Sequence, residues 1–124
     1  MLTMRIVTDP AELSAFAETF QVSIDEGVCL YLAENRGTVL GGCFYRFNEE
    51  GMEILFADTY GDVPLFDGLI RASMAALFDR EQDKVIFADS MNRELLKSCR
   101  FIEDDELCIH SANTFFETHK NCKN

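Results

Sequence analysis

Met52-Glu53-Ile54-Leu55-Phe56-Ala57-Asp58-Thr59-Tyr60, broken by Gly61-Asp62-Val63-Pro64 and continued by Leu65-Phe66-Asp67-Gly68-Leu69-Ile70-Arg71, is the stretch around which the chain is organised. Its first nine residues are rich in large apolar and aromatic side chains and too few for a helix of their own, which predicts a strand buried on at least one face. The glycine and proline that follow end it. From Phe66 on, apolar residues fall at Phe66, Leu69, Ile70, Met74, Leu77 and Phe78, with Arg71, Asp79 and Arg80 elsewhere on the cylinder. That is the spacing of one helical face. A strand that hands over to a helix sets the functional question, which is what binds at the junction.

Outward from that pair, residues 4–8 read as a short first strand. Asp9-Pro10-Ala11-Glu12 opens a helix, with Asp9 as cap, Pro10 where no amide hydrogen is needed and Glu12 reaching back to complete a capping box. Leu13, Phe16, Ala17 and Phe20 form its packing stripe. Residues 28–34 and 38–47 are strands joined by Asn35-Arg36-Gly37, a hairpin with glycine where positive φ is wanted. Gly41-Gly42 inside the second strand predicts a bulge or a close backbone approach. Alternation places Phe44 and Arg46 on one face and Tyr45 and Phe47 on the other. Asn48-Glu49-Glu50-Gly51 turns the chain into the central strand. Beyond the central helix, residues 84–89 are nearly all apolar, as in a strand buried on both faces beside a parallel neighbour. Ser90 is the expected cap of a short helix carrying Leu95, Leu96 and Cys99, and residues 101–109 form a last strand interrupted by Glu103-Asp104-Asp105-Glu106. Residues 111–124 read as a polar C-terminal tail in which Phe115 and Phe116 dock on the body. The fold class is α/β (α+β), in a single domain over residues 1–124.

A chain of 124 residues is long enough to bury about two thirds of its unfolded surface without disulfides or metal. Eleven basic against 22 acidic residues leave a net charge of -11, which repels a phosphate backbone and excludes nucleic acid as the expected partner. A protein partner with a basic surface, or a cationic amine, suits it better, and self-association into a homo-oligomer is left open. No apolar run approaches the roughly 20 residues of a membrane span, and Met1-Leu2-Thr3-Met4-Arg5 lacks the apolar core of a signal peptide. The expected location is cytoplasmic, with no membrane partner. Cys29, Cys43, Cys99, Cys108 and Cys122 are odd in number and scattered, with no metal-knuckle or redox spacing, so no metal is expected. Cys29 and Cys43 face each other across the hairpin in this reading, as buried thiols rather than a disulfide in a reducing compartment. Cys122 reads as exposed. His110 and His119 read as surface histidines without partner ligands, and the run of four carboxylates as a solvated turn, because adjacent carboxylates in an extended segment cannot all converge on one cation.

The order strand, helix, three antiparallel strands, helix, strand, helix, strand resembles the GNAT (Gcn5-related N-acetyltransferase) family. Local cues agree: Val39-Leu40-Gly41-Gly42 after the hairpin, the helix opening Gly68-Leu69-Ile70-Arg71-Ala72, and Asn92-Arg93-Glu94-Leu95-Leu96 ahead of Arg100-Phe101, where the family commonly has Gly-Phe. The resemblance covers roughly residues 28–109, the region before it being shorter than usual for the family. It implies a GNAT-like mixed, mostly antiparallel twisted sheet flanked by helices.

The resemblance also implies where a cofactor would lie. Family members hold the acetyl-CoA pyrophosphate on backbone amides at the start of the central helix, in a loop of the form Gln/Arg-x-x-Gly-x-Gly/Ala. Gly61, Pro64 and Phe66 fall at the three defining positions. Pro64 has no amide hydrogen, Phe66 is bulky, and Asp62 and Asp67 repel a pyrophosphate while complementing the helix dipole. The tyrosine that members often use as general acid falls on Leu96, with Arg100 at the glycine position and Asp89 near the usual asparagine. Two hallmarks are missing. The preferred reading is therefore a GNAT-fold protein with no cofactor, acting as a protein-interaction or assembly component. Small divergent relatives among tailed-phage proteins suggest a phage particle, hence incorporation into a virion. The alternative is a small acetyl-CoA-dependent N-acetyltransferase acting on an amine, and the sequence leaves open whether the chain is an enzyme. In that case Glu53 or Asp58 is the base, Tyr60 or Cys99 replaces the acid, and Gly61, Val63, Leu65 and Gly68 line the cofactor.

Overall fold

Two aspartates start the long helices. Asp9 accepts a hydrogen bond from the Glu12 amide at 3.1 Å and Asp62 one from the Leu65 amide at 3.0 Å, each ahead of a proline in the first turn. Glu12 does not close the expected capping box; its carboxylate takes the Arg5 guanidinium at 3.0 Å instead. The computed structural model describes residues 2–121, with side chains through residue 118; Cys122, the His119 ring and the end of the tail lie outside the described residues. The elements are β1 (Leu2–Val7), α1 (Pro10–Phe20), β2 (Cys29–Asn35), β3 (Thr38–Phe47), β4 (Gly51–Asp58), α2 (Val63–Met74), β5 (Lys84–Phe87), α3 (Arg93–Ser98), β6 (Cys108–Ile109) and α4 (Ala112–Asn121), with α2 continued by a 3-10 turn over Ala75–Arg80. The strands form one mixed sheet, in spatial order β1-β2-β3-β4-β5-β6, antiparallel except for the parallel pair β4–β5.

The hairpin turn uses Arg36 and Gly37, both at positive φ (51° and 84°), the twist that a two-residue turn needs. The glycine pair in β3 serves both expected purposes. Opposite Ala33 and Glu34 the register jumps from Gly41 to Val39, leaving Leu40 as a bulge. A Cβ on Gly41 would stand 2.7 Å from Thr59 Cγ2 and 2.8 Å from the Asp58 carbonyl oxygen, so β3 presses directly on the end of β4. A second bulge, at Leu55, separates the pairs Phe44↔Phe56 and Tyr45↔Ile54.

The sheet has a core on each face. One face packs Tyr45, Met52, Ile54, Val85 and Phe87 against Phe66, Leu69, Ile70 and Met74 of α2, Leu96 of α3 and Phe115 of α4. The other packs Leu30, Leu32 and Phe44 against Leu13, Ala17 and Phe20 of α1, and takes nothing from β5 or β6. Burying side chains of this size contributes about 1.5–3 kcal/mol each. Among the described residues no helix is long and apolar enough to cross a membrane.

Six expectations are corrected. Ile86 is only half-buried, since α1 leaves β5 open on its side. Asn92, not Ser90, caps α3, its side chain receiving the Leu95 amide at 3.0 Å. The last strand shrinks to Cys108–Ile109, because Asp104 bonds the Glu106 amide and Asp105 pairs with Lys97 at 2.9 Å, holding residues 103–106 in turns. Phe78 is 46% exposed and lies against Phe116 rather than in the core. Residues from Ala112 form α4 rather than a polar tail: Asp83 accepts the Asn113 amide at 2.8 Å and the Ser111 hydroxyl at 2.6 Å, and Phe115 stacks on Phe101. Cys29 and Cys43 are not opposed either; Cys29 pairs with Tyr45 and Cys43 with Tyr31, and both are free thiols. Burial pushes the Cys43 thiol up to about 12.

Candidate functional site

Parallel pairing of β4 with β5 runs from Gly51↔Lys84 to Ile54↔Phe87 and ends with the Ala88 amide on the Ile54 carbonyl at 2.9 Å. Beyond it β4 continues to Asp58 while the chain after β5 turns away toward α3. The strands part here. The opening is bounded by the loop into α2 and by Leu95 of α3, and encloses a cleft of about 60 Å³ lined by Ala57, Asp58, Gly61, Asp62, Val63 and Phe66. Ligand sites for drug-sized molecules occupy about 300–1,000 Å³, so this one has room for a few waters at most.

Four of the loop's amides are engaged by the loop itself. The Tyr60 amide donates to the Asp58 carboxylate at 2.9 Å, Asp62 to the Thr59 carbonyl at 3.0 Å, Leu65 to the Asp62 carboxylate at 3.0 Å and Phe66 to the Asp62 carbonyl at 3.0 Å. Pro64 has none to give. The Thr59 hydroxyl closes the turn onto the Asp62 carbonyl at 2.6 Å. Two of these amides, those of Tyr60 and Leu65, are thus held by the chain's own carboxylates near the end of the helix that attracts an anion.

The structure scatters the residues singled out in the sequence. Glu53 sits five residues from Asp58, roughly 16 Å along the strand, on the α1 face. There it accepts Arg46 at 2.9 Å, which also pairs with Asp25 at 3.1 Å. Asp58 lines the cleft, but its carboxylate is held by Tyr60. Tyr60, at φ 52° and 60% exposed, stacks on Phe20 of α1, away from α3. Gly61 and Val63 reach the cleft. Leu65 and Gly68 line a separate groove of about 370 Å³ against Leu2, Met4 and Leu40. Phe66 turns inward to the core rather than blocking the loop, and Leu96 is fully buried. Asp67 is bonded to Arg71 at 3.0 Å, and Arg71 lies over the rings of Phe101 and Phe115, so its charge does not confront the cleft. Cys99 packs at the edge of the core, where burial raises its thiol pKa.

Two features escaped the sequence reading. A groove of about 600 Å³ runs between α1 and the connection to β2, with Leu13, Ile24 and Val28 below and Asp25 and Glu26 beside them. At the opposite edge, Glu106, Cys108 and His110 each bring a donor atom within 4.8 Å of the others. His110 therefore is not an isolated surface histidine. Its spacing of two from Cys108 and four from Glu106 was the available signal.

The chain has a GNAT-like fold, similar to that of solved acetyltransferases. An aminoglycoside acetyltransferase from an uncultured soil metagenomic sample, solved with sisomicin, superposes with a TM-score of 0.59 at 14% identity, covering 83% of this chain and 88% of its own. A predicted acetyltransferase of Clostridium acetobutylicum, solved with acetyl-CoA, gives 0.59 at 14% identity over 86% and 93%. The ribosomal-protein-S18-alanine N-acetyltransferase of Escherichia coli gives 0.58 at 12% identity over 81% and 77%. Identities at this level establish the fold alone. No protein-family model matches the chain, and no curated protein matches it.

Proposed function

We propose that this chain is a GNAT-fold protein that does not hold acetyl-CoA in the manner of the fold's enzymes and instead acts by binding a protein partner with a basic surface. The observation that carries this reading is the Asp62 carboxylate on the Leu65 amide, beside a proline that can donate nothing. A diphosphate that takes the Leu65 amide displaces a cap worth about 1 kcal/mol and meets the carboxylates of Asp58 and Asp62. The general-acid position is an interior leucine, and Tyr60 faces the wrong side of the sheet. For a partner, the net charge of -11 favours a basic surface. The groove beside α1, with its apolar floor and the carboxylates of Asp25 and Glu26, complements a segment that alternates apolar and cationic side chains. An assembly role, in a phage particle or elsewhere, is one setting for such binding, and a stable complex of native material in size-exclusion chromatography supports it.

The second reading, an acetyl-CoA-dependent transferase acting on an amine, draws on the parting of β4 from β5 and on the acetyl-CoA present in the Clostridium structure. Asp58 is then the base. Isothermal titration with acetyl-CoA separates the two: no saturable heat at micromolar cofactor is the expected result, and saturable binding weakened by a bulky substitution at Gly61 overturns the proposal.

A further inference from the structure

The chain around β6 is folded so that three different donors meet on an open face of the sheet. The Cys108 amide donates to the Glu106 carbonyl at 2.9 Å, a three-residue turn at Leu107 that folds Glu106 back over the strand, and the Glu106 amide is held by Asp104. Ile109 points into the core opposite Val85, so its neighbour Cys108, paired with Ile86, faces the side that α1 leaves uncovered. Cys108 Sγ lies 3.9 Å from His110 Nδ1, and the Glu106 carboxylate is hydrogen-bonded to Nε2 of the same ring. A groove of about 260 Å³ between Phe101, Glu103 and His110 gives solvent access.

We propose that Cys108 and His110 bind a transition-metal ion of the zinc class, with Glu106 orienting the imidazole. In tetrahedral geometry, a thiolate about 2.3 Å and an imidazole nitrogen about 2.0–2.1 Å from zinc stand roughly 3.5 Å apart, a few tenths of an ångström from the separation present here. With Nε2–H donating to Glu106, the neutral ring presents the lone pair of Nδ1 to the sulfur side, the carboxylate–histidine–metal arrangement that fixes tautomer and ring angle. Binding replaces the Cys108 S–H proton with the metal and releases one proton to solvent; water completes the coordination. A thiolate–imidazole pair selects zinc, cobalt or copper over calcium and magnesium.

The test is Co²⁺ titration of the full chain carrying Cys122→Ser, so that the thiol near the C-terminus does not compete. The expected result is one equivalent of Co²⁺ with a sulfur-to-cobalt charge-transfer band in the near ultraviolet, displaced by Zn²⁺. Cys108→Ser removes the band. His110→Ala weakens binding at least about tenfold, and Glu106→Ala weakens it about 10–100-fold while leaving the band shape unchanged, since both direct ligands remain. A chain that takes up no Co²⁺, or a band that survives both Cys108→Ser and His110→Ala, overturns the assignment.

Discussion

At the start of α2, Asp58 and Asp62 turn their carboxylates onto amides of their own loop; at β6, Glu106 turns its carboxylate onto a neighbouring imidazole. The chemical group is the same and the outcome differs. A carboxylate on a backbone amide removes a donor that a ligand would need, whereas one on Nε2 of histidine leaves the second ring nitrogen available. Surrounding structure deepens the contrast. The junction sits between two cores and is pressed by Gly41, while the β6 edge is covered on one face only. The junction where the resemblance would seat a cofactor is the more self-satisfied of the two.

The contrast predicts a graded response to substitution. Phe66→Ala, beneath the junction, is expected to lower stability by about 3–5 kcal/mol in urea unfolding; a loss below about 1 kcal/mol means that the junction is not rigidly packed and the contrast fails. Asp62→Ala removes the cap and is expected to cost about 1 kcal/mol, without creating acetyl-CoA binding in titration calorimetry. Heat appearing in that variant identifies the carboxylate as a gate rather than a permanent cap. Glu106→Gln, measured with a chelator present, is expected to stay within about 0.5 kcal/mol of the parent. A larger loss moves Glu106 into the structural class of Asp62.

What was legible in the sequence follows from the range of the forces involved. Asp9-Pro10 and Arg36-Gly37 act within three or four residues, so the start of α1 and the hairpin were readable from neighbours; α2 begins at Val63, capped by Asp62, three residues before the Phe66 expected. Alternation in β3 correctly divided Phe44 from Tyr45 between the two cores. The local cap of α4, the Ser111 hydroxyl accepting the Thr114 amide at 3.1 Å, was within readable range, but its tie to the body was not, because Asp83 stands 30 residues from the Asn113 amide it accepts. For the candidate site, the absent donor at Pro64 could be read directly, but the orientations of Phe66, Asp67 and Tyr60 could not. Each depends on a distant partner: the main core for Phe66, the rings of Phe101 and Phe115 that hold Arg71, and Phe20 for Tyr60. The cluster around Cys108 was missed because the run 103–106 looked extended, and only the turn at Leu107 brings Glu106 to His110.

The sheet's spatial order repeats its chain order from β1 to β6. Each strand therefore closes onto the one made just before it, through a tight turn for β2–β3 and β3–β4 and through a helix for the other three pairs, at a loop-closure cost that grows only slowly with length. The one parallel closure among the described strands is the passage through α2 that brings β5 alongside β4, and parallel pairing is the slower kind to form. The kinetic bottleneck of assembly and the opening beside the cleft thus share one segment of chain, and an alteration there touches the speed of folding together with whatever the cleft admits.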